Sequence, residues 1–308
     1  TLQNSTPTAI SIDGNKYTLT ISYNGVANGT ETLTITPVAN NIFDAMGNVA
    51  ATAQSNNKLA LNEVRIKPVT FLEYDNQQGT WASLQPRDAD THVLAYADNY
   101  NDGRIKTFNV AADGTTVTNV NTWEHDNGNG TYNSLARRSD DVYALAYQTS
   151  SNRGNIRTFK VDANGTIGSL SVVRFENSNT AETSLIQLKG DLFLLAYAGS
   201  GNDGMLKSYN IGTNGSISGL KNLEHNTANG WAPTLHKMTD STAVLVYSDH
   251  DNSTHEIKTF HVASDGTITE KKKIKISDNK GYWNSIAQVD NDTYLIAAQA
   301  KDKDGYLY

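Results

Sequence analysis

The sequence predicts an all-β protein whose main body is a β-propeller. Three observations carry this: strand-like alternation throughout, a phrase that returns every 50 or 51 residues, and a strand count that fills five four-stranded blades. The 23 glycines and 15 tyrosines, with many Asn and Thr and few runs of Ala, Leu, Glu and Lys, favour strands joined by tight turns over helices. With 38% hydrophobic residues in 308, the chain can bury a core and has room for more than one domain.

The phrase "LAYADNYNDGRIKTFNVAADGT" at 94–115 returns as "LAYQTSSNRGNIRTFKVDANGT" from Leu145 and "LAYAGSGNDGMLKSYNIGTNGS" from Leu195. Four columns keep the interval: Tyr96, Tyr147, Tyr197 and Tyr247, with Ala298 in the fifth place; Phe108, Phe159, Tyr209 and Phe260; Gly114, Gly165, Gly215 and Gly266; and Leu84, Leu135, Leu185, Leu235 and Ile286. Within one unit, "SLARRS", "VYALAYQ", "NIRTFKV" and "TIGSLSVVRFE" alternate with period two and are cut by Gly, Asn and Asp, which gives four short strands. A "DANGT" turn joins the third to the fourth, with Gly supplying the positive φ such a hairpin needs.

First strands start near Ser83, Ser134, Ser184, Thr234 and Ser285, and fourth strands fall at 64–75, 116–125, 167–176, 217–225 and 267–276, five of each. The chain therefore enters on a fourth strand and leaves on a third, and pairing of "VRIKPVTFLEYD" with "GYLY" would close the ring circularly. The propeller is expected over 62–308, with six or seven blades if the array runs on beyond Tyr308.

Residues 1–61 lack the repeat but remain strand-like, as in "NKYTLTISY". The stretch "ETLTITPVANNIFDAMGNVAATAQSNN" resembles the C-terminal half of the bacterial Ig-like repeats of large cell-surface proteins, which implies a partial β-sandwich, cut upstream or completed by another segment or chain. The propeller units resemble a repeat of secreted and surface proteins of bacteria and archaea. More distantly, "IKTFNVAADGTTV" is similar to blades of lactonase-type propellers. The likeness of the propeller units to the secreted and surface repeat, which covers the 62–308 region, implies an extracellular or cell-surface setting and no particular reaction.

Composition excludes several partners. A net charge of −7 without a basic stripe argues against nucleic acid, and the run "EKKKIK" at 270–275 suits a solvated edge strand. The absence of cysteine removes disulfides and thiolate metal sites, and no apolar run nears the roughly 20 residues of a membrane span. Residue 1 opens without a signal-peptide pattern, as in a mature product or a fragment.

The longer loops, between second and third strands and between blades, share one face, where binding is expected. The blade-to-blade links there carry Glu73, Glu124, Glu176 and Glu224 near the ends of fourth strands, then Trp81, Tyr132, Trp231 and Trp283 before the next first strand, with Glu182 where a further aromatic is expected. A ring with a carboxylate nearby suits a sugar, whose CH groups stack while its hydroxyls seek acceptors. Packing between blades is the competing role for each aromatic. Asp98, Asn101 and Asp102, Asp249 and Asp251, and Asp302 and Asp304 offer hard oxygen ligands, but none completes an EF-hand loop, so solvated turns are favoured and structural calcium is the one cofactor left open. His125 and His225 recur with the repeat and are assigned to link geometry rather than to zinc.

No catalytic residue is expected. The inner strands open as "SLQPR", "SLARR", "SLIQL", "TLHKM" and "SIAQV" without an acid, whereas a propeller glycosidase needs an acid and base pair there. The sequence thus points to a non-enzymatic adhesion module binding glycans or another surface. The alternative is a structural subunit of an extracellular filament or sheath that assembles with its neighbours, and a propeller lactonase or glycosidase ranks below both.

Overall fold

A computed structural model describes residues 70–308 except Ala228, Asn291, Asp292 and 300–303, and, of the first 69, residues 8–13, 16–21, 32–36, 38–41, 43, 46–49 and 58–60. The chain divides into two compact units, Thr1–Pro68 and Val69–Tyr308.

In the first unit β1 (Ala9–Asp13) pairs antiparallel with β2 (Lys16–Thr20), β3 (Thr32–Thr34) pairs with β4 (Lys58–Ala60), and Phe43 bridges Val49. Of the 27-residue stretch with Ig-like resemblance, 13 residues, 50–57 among them, lie outside the described residues.

The second unit is a five-bladed β-propeller. Its first blade runs β5 (Thr80–Pro86), β6 (Thr91–Ala97), β7 (Gly103–Val110) and β8 (Val117–Asp126). The second holds β9 (Thr131–Arg137), β10 (Val142–Thr149), β11 (Arg153–Val161) and β12 (Ile167–Glu176). The third holds β13 (Ala181–Lys189), β14 (Leu192–Ala198), β15 (Gly204–Ile211) and β16 (Ile217–Asn226). In the fourth are β17 (Gly230–Thr239), β18 (Thr242–Asp249), β19 (Thr254–Val262) and β20 (Ile268–Ser277). The fifth has β21 (Tyr282–Gln288), β22 (Tyr294–Gln299) and β23 (Gly305–Leu307). Each sheet pairs its strands antiparallel in chain order. Helix is confined, among the described residues, to two short 3-10 turns, Ser150–Asn152 and Ser200–Asn202.

First strands neighbour one another around the axis, β5 beside β9, β9 beside β13, β13 beside β17 and β17 beside β21. The second strands of the first four blades are buried along nearly their whole length, β10 at every residue, so its sequence reads as one apolar run, whereas β22 of the fifth is only partly covered. Fourth strands are outermost. The lysine-rich stretch of β20 is exposed, as expected for a charged edge.

The repeat columns explain how the blades join. Ser83, Ser134 and Ser184 each accept, through Oγ, the backbone N–H of Leu135, Leu185 and Leu235 in the next first strand, at 3.0, 2.8 and 3.0 Å. Thr107, Thr158 and Ser208 donate their hydroxyls to the carbonyls of Gly165, Gly215 and Gly266 in the following blade's third-to-fourth turn, at 2.7, 2.5 and 2.7 Å. Tyr74, His125, Phe175 and His225, one per link, lay their rings against Tyr96, Tyr147, Tyr197 and Tyr247 of the next blade, with centroids 4.7–5.0 Å apart. Three of these rings sit over a glycine of their own blade, where a Cβ at Gly103, Gly154 or Gly204 would come within 2.4 Å of them. The fourth blade reverses the arrangement. His255, wholly buried, stands in the glycine position and packs on Tyr308, and Ile276 stands where the others carry the ring.

Two expectations need correction. The fifth sheet shows three strands among the described residues, not four, and residues 70–75 carry no strand, while 64–69 of the proposed closing strand lie outside the described residues. First strands also begin earlier than read, at Thr80, Thr131, Ala181, Gly230 and Tyr282, which brings an acid, Glu182, onto an inner strand.

Candidate functional site

Every inner strand opens with a distortion. The pairing of first and second strands slips between Thr80 and Ser83, and at the equivalent point in each other blade. At each slip one non-glycine residue takes a left-handed backbone: Trp81 at φ 49°, Tyr132 at 52°, Glu182 at 53°, Ala232 at 51° and Trp283 at 53°. Such values are uncommon for L-residues, and a bulge of this kind re-aims the side chain that it carries.

All five residues line one cavity of about 180 Å³ on the axis. Trp81 and Tyr132 pack at a tilt of 54° with centroids 5.3 Å apart, and Trp283, 71% exposed, stands at the open rim. The Glu182 carboxylate accepts the N–H of Ala232 from the next blade. Burial raises its pKa above the ordinary carboxylate value, with the Ala232 bond opposing. Burial, then the negative charge of Glu182, pushes the Tyr132 phenol up as well.

The Asn and Thr side chains of the lining are turned inward. Asn133 and Asn284 donate through Nδ2 to the carbonyls of Gly130 and Ala232, both at 2.7 Å, and their Oδ1 atoms are buried. Thr183 donates to the Tyr132 carbonyl, and Thr234 to that of Asn284 at 3.3 Å. The lining thus presents three rings, with the phenol hydroxyl and indole N–H groups they carry, and one carboxylate.

Of the residues singled out from sequence, Trp81, Tyr132 and Trp283 come together here, but Trp231 does not. It lies one residue before the cup position, which Ala232 holds, and stacks on His250 at 5.7 Å and 21°. The glutamates do not join the aromatics either. Fourth strands are three strands out from the axis, roughly 14 Å at the usual strand spacing. Glu73 is exposed; Glu124 is exposed and pairs with Arg104 at 2.5 Å; Glu224 is exposed beside a separate polar hollow with Lys258 and Lys273. Glu176 is in another column. It caps its link by accepting the N–H groups of Asn177 and Ser178 and the Tyr197 hydroxyl, as Asp75 does for Gln77, Gln78 and Tyr96.

Glu182 was missed as a site residue because aromatic identity was followed instead of spacing. Counting three back from Leu84, Leu135, Leu185, Leu235 and Ile286 lands on the five cup positions.

The aspartate loops satisfy themselves. Asp98 accepts from the N–H groups of Tyr100 and Asp102 and from Arg104, and Asp249 accepts from Asn252 and Asn226. Among the described residues no group of three or more His, Asp or Glu could hold a metal, and Asp302 lies outside them. His125 and His225 are buried in the links with both ring nitrogens unpartnered; burial first, then nearby Arg or Lys charge, drives each pKa down to about 3.

Fold and site together define a five-bladed β-propeller with an axial aromatic cup. No protein-family model and no curated protein sequence matches the chain. Among solved structures it is similar to Saccharomyces cerevisiae Sqt1, at 12% identity and a TM-score of 0.52 over 76% of this chain and 59% of that one. It is also similar to a hypothetical selenium-binding protein from Sulfolobus tokodaii, at 9% identity and a TM-score of 0.51 over 82% and 64%. The chain therefore spans less than two thirds of the length of either. A periplasmic gluconolactonase of Pseudomonas aeruginosa aligns over 92% of this chain and 90% of its own at 13% identity and a TM-score of 0.46. At such identities the likeness shows the propeller fold alone.

Proposed function

We propose that this protein is a non-enzymatic binding module that seats its ligand end-on in the axial cup, and that it works at a cell surface or in the extracellular space. The observation that carries the reading is the convergence of Trp81, Tyr132, Glu182 and Trp283 from four blades on one cavity. Rings and a lone carboxylate at the mouth of a rigid ring of sheets form a recognition site. Glycoside hydrolysis takes two carboxyl groups on either side of the scissile bond, and among the described residues this lining holds one. The cavity is smaller than the roughly 300–1,000 Å³ that encloses a drug-sized ligand, so it suits one ring or head group presented by a larger molecule. The extracellular setting is supported by the likeness of the repeats to those of prokaryotic surface proteins.

Tryptophan fluorescence tests this, titrated with monosaccharides and small ammonium compounds and followed by a glycan array. Trp283→Ala and Tyr132→Ala should each weaken binding at least tenfold, while Trp231→Ala and Glu224→Gln leave it unchanged. Binding that survives the cup variants, or turnover of a glycoside or lactone that Glu182→Gln abolishes, overturns the reading.

A further inference from the structure

We propose that the group held in the cup is a methylated ammonium, such as the choline head group or a methylated lysine side chain displayed by a partner. This deepens the binding reading and rests on it.

Charge is the first ground. Among the described residues, Glu182 is the only charged side chain in the lining, and no Lys or Arg shares the cavity with it. Its one direct partner there is the neutral N–H of Ala232, so the negative charge has no internal counter-ion. A cation supplies the missing complement in a half-buried place, where attraction between charges is stronger than in open water.

Rings are the second. The electron-rich faces of Trp and Tyr attract a cation electrostatically, and quaternary ammonium groups are recognised in aromatic cages for this reason. Trp81 and Tyr132, tilted at 54°, make two walls; Trp283 from the fifth blade and Glu182 from the third complete the enclosure.

Hydrogen bonding decides between this ligand and a sugar. A sugar ring brings several hydroxyls, each of which loses its water on entry and needs a replacement partner. Here Asn133, Asn284, Thr183 and Thr234 already spend their donors on backbone carbonyls and both amide oxygens are shut off from solvent, so a sugar would have only the Glu182 carboxylate, the Tyr132 hydroxyl and the indole N–H groups of Trp81 and Trp283 to meet all its hydroxyls. A quaternary ammonium has no donor or acceptor to satisfy. It asks for apolar contact on its methyl groups and one negative charge nearby, which is what this lining offers. At about 180 Å³ the cavity is several times a water's share of liquid volume, enough for a branched head group of a few heavy atoms.

The test is isothermal titration of the unaltered protein with choline and with 3,3-dimethylbutan-1-ol, which has the same shape and no charge. Choline should bind at least tenfold more tightly, and Glu182→Gln should bring the two within about threefold of each other. Trp283→Ala should weaken choline at least tenfold. Equal affinity of choline and its neutral analogue in the unaltered protein overturns the inference, whatever the variants do. If a monosaccharide binds, is lost in Trp283→Ala, and choline does not bind, the inference fails and the binding reading stands. If neither ammonium compounds nor sugars bind in a cup-dependent way, both fail.

Discussion

Lowering the pH from 7.5 to 5 should destabilise this propeller through two buried imidazoles, and the cost can be worked from the structure. His125 and His225 lie under their links with rings edge-on to Tyr147 and Tyr247, at 4.7 and 4.8 Å and near 77°, and neither ring has a hydrogen-bond partner on either nitrogen. Burial is the main cause that holds both pKa values near 3, against 6.5 for an ordinary imidazole. Arg157 and Arg104 add to it for His125, with Asp126 opposing, and Lys258 adds to it for His225. The folded pKa is below the unfolded one, so the unfolded chain binds protons first as pH falls. The stability these rings provide is complete above about pH 6.5 and drains away as pH drops toward 3. At pH 5, roughly 1.5 pH units below the unfolded value, each ring costs about 2 kcal/mol and the pair about 4 kcal/mol.

The equivalent position in the third link holds Phe175, packed on Tyr197 at 4.8 Å, so the site already accommodates phenylalanine. The variant His125→Phe/His225→Phe keeps the packing and removes both titrations. Urea unfolding at pH 7.5 and pH 5 should show the unaltered protein losing about 4 kcal/mol more than the double variant across this interval. Equal losses in the two proteins would refute the reasoning, because other titrating groups, His250 and His255 included, are common to both.

Gly215→Ala should lower stability by about 2 kcal/mol, near 4–8 °C in Tm for a unit of this size. Its φ is +80° and a Cβ would meet Leu170 Cδ1 at 2.4 Å, whereas Gly168→Ala, with nothing within 4 Å, should change thermal unfolding by less than about 0.5 kcal/mol. Thr158→Val should cost about 1–3 kcal/mol in denaturant unfolding. It strips the buried bond to the Gly215 carbonyl and leaves the Ser171 N–H without its acceptor.

Much of the fold was legible because its causes are local. Turn glycines at Gly165, Gly215 and Gly266, period-two alternation, and the apolar run of each second strand recur in the chain as they do in space. The site was legible only in part. Trp81, Tyr132 and Trp283 were found as aromatics at the head of a blade, but Trp231 was taken for a fourth member because it is also aromatic, and Glu182 was set aside because it is not. Side chains at consecutive strand positions point opposite ways, so an offset of one residue separates a cup residue from one that stacks on His250. Glutamates about eight residues from an aromatic in the chain were expected to share its site; the sheet order puts them three strands away.

By itself, the sequence determined the blade count, the strand order within each blade and the columns that join one blade to the next, because hydrophobic period and turn chemistry act over a few residues and repeat with the chain. Only the tertiary structure decided which side chains meet. The left-handed residue at the start of each inner strand carries Trp81, Tyr132, Glu182 and Trp283, up to 202 positions apart, to one axis. Arranging five twisted sheets about one axis is what turns equivalent positions in distant repeats into neighbours.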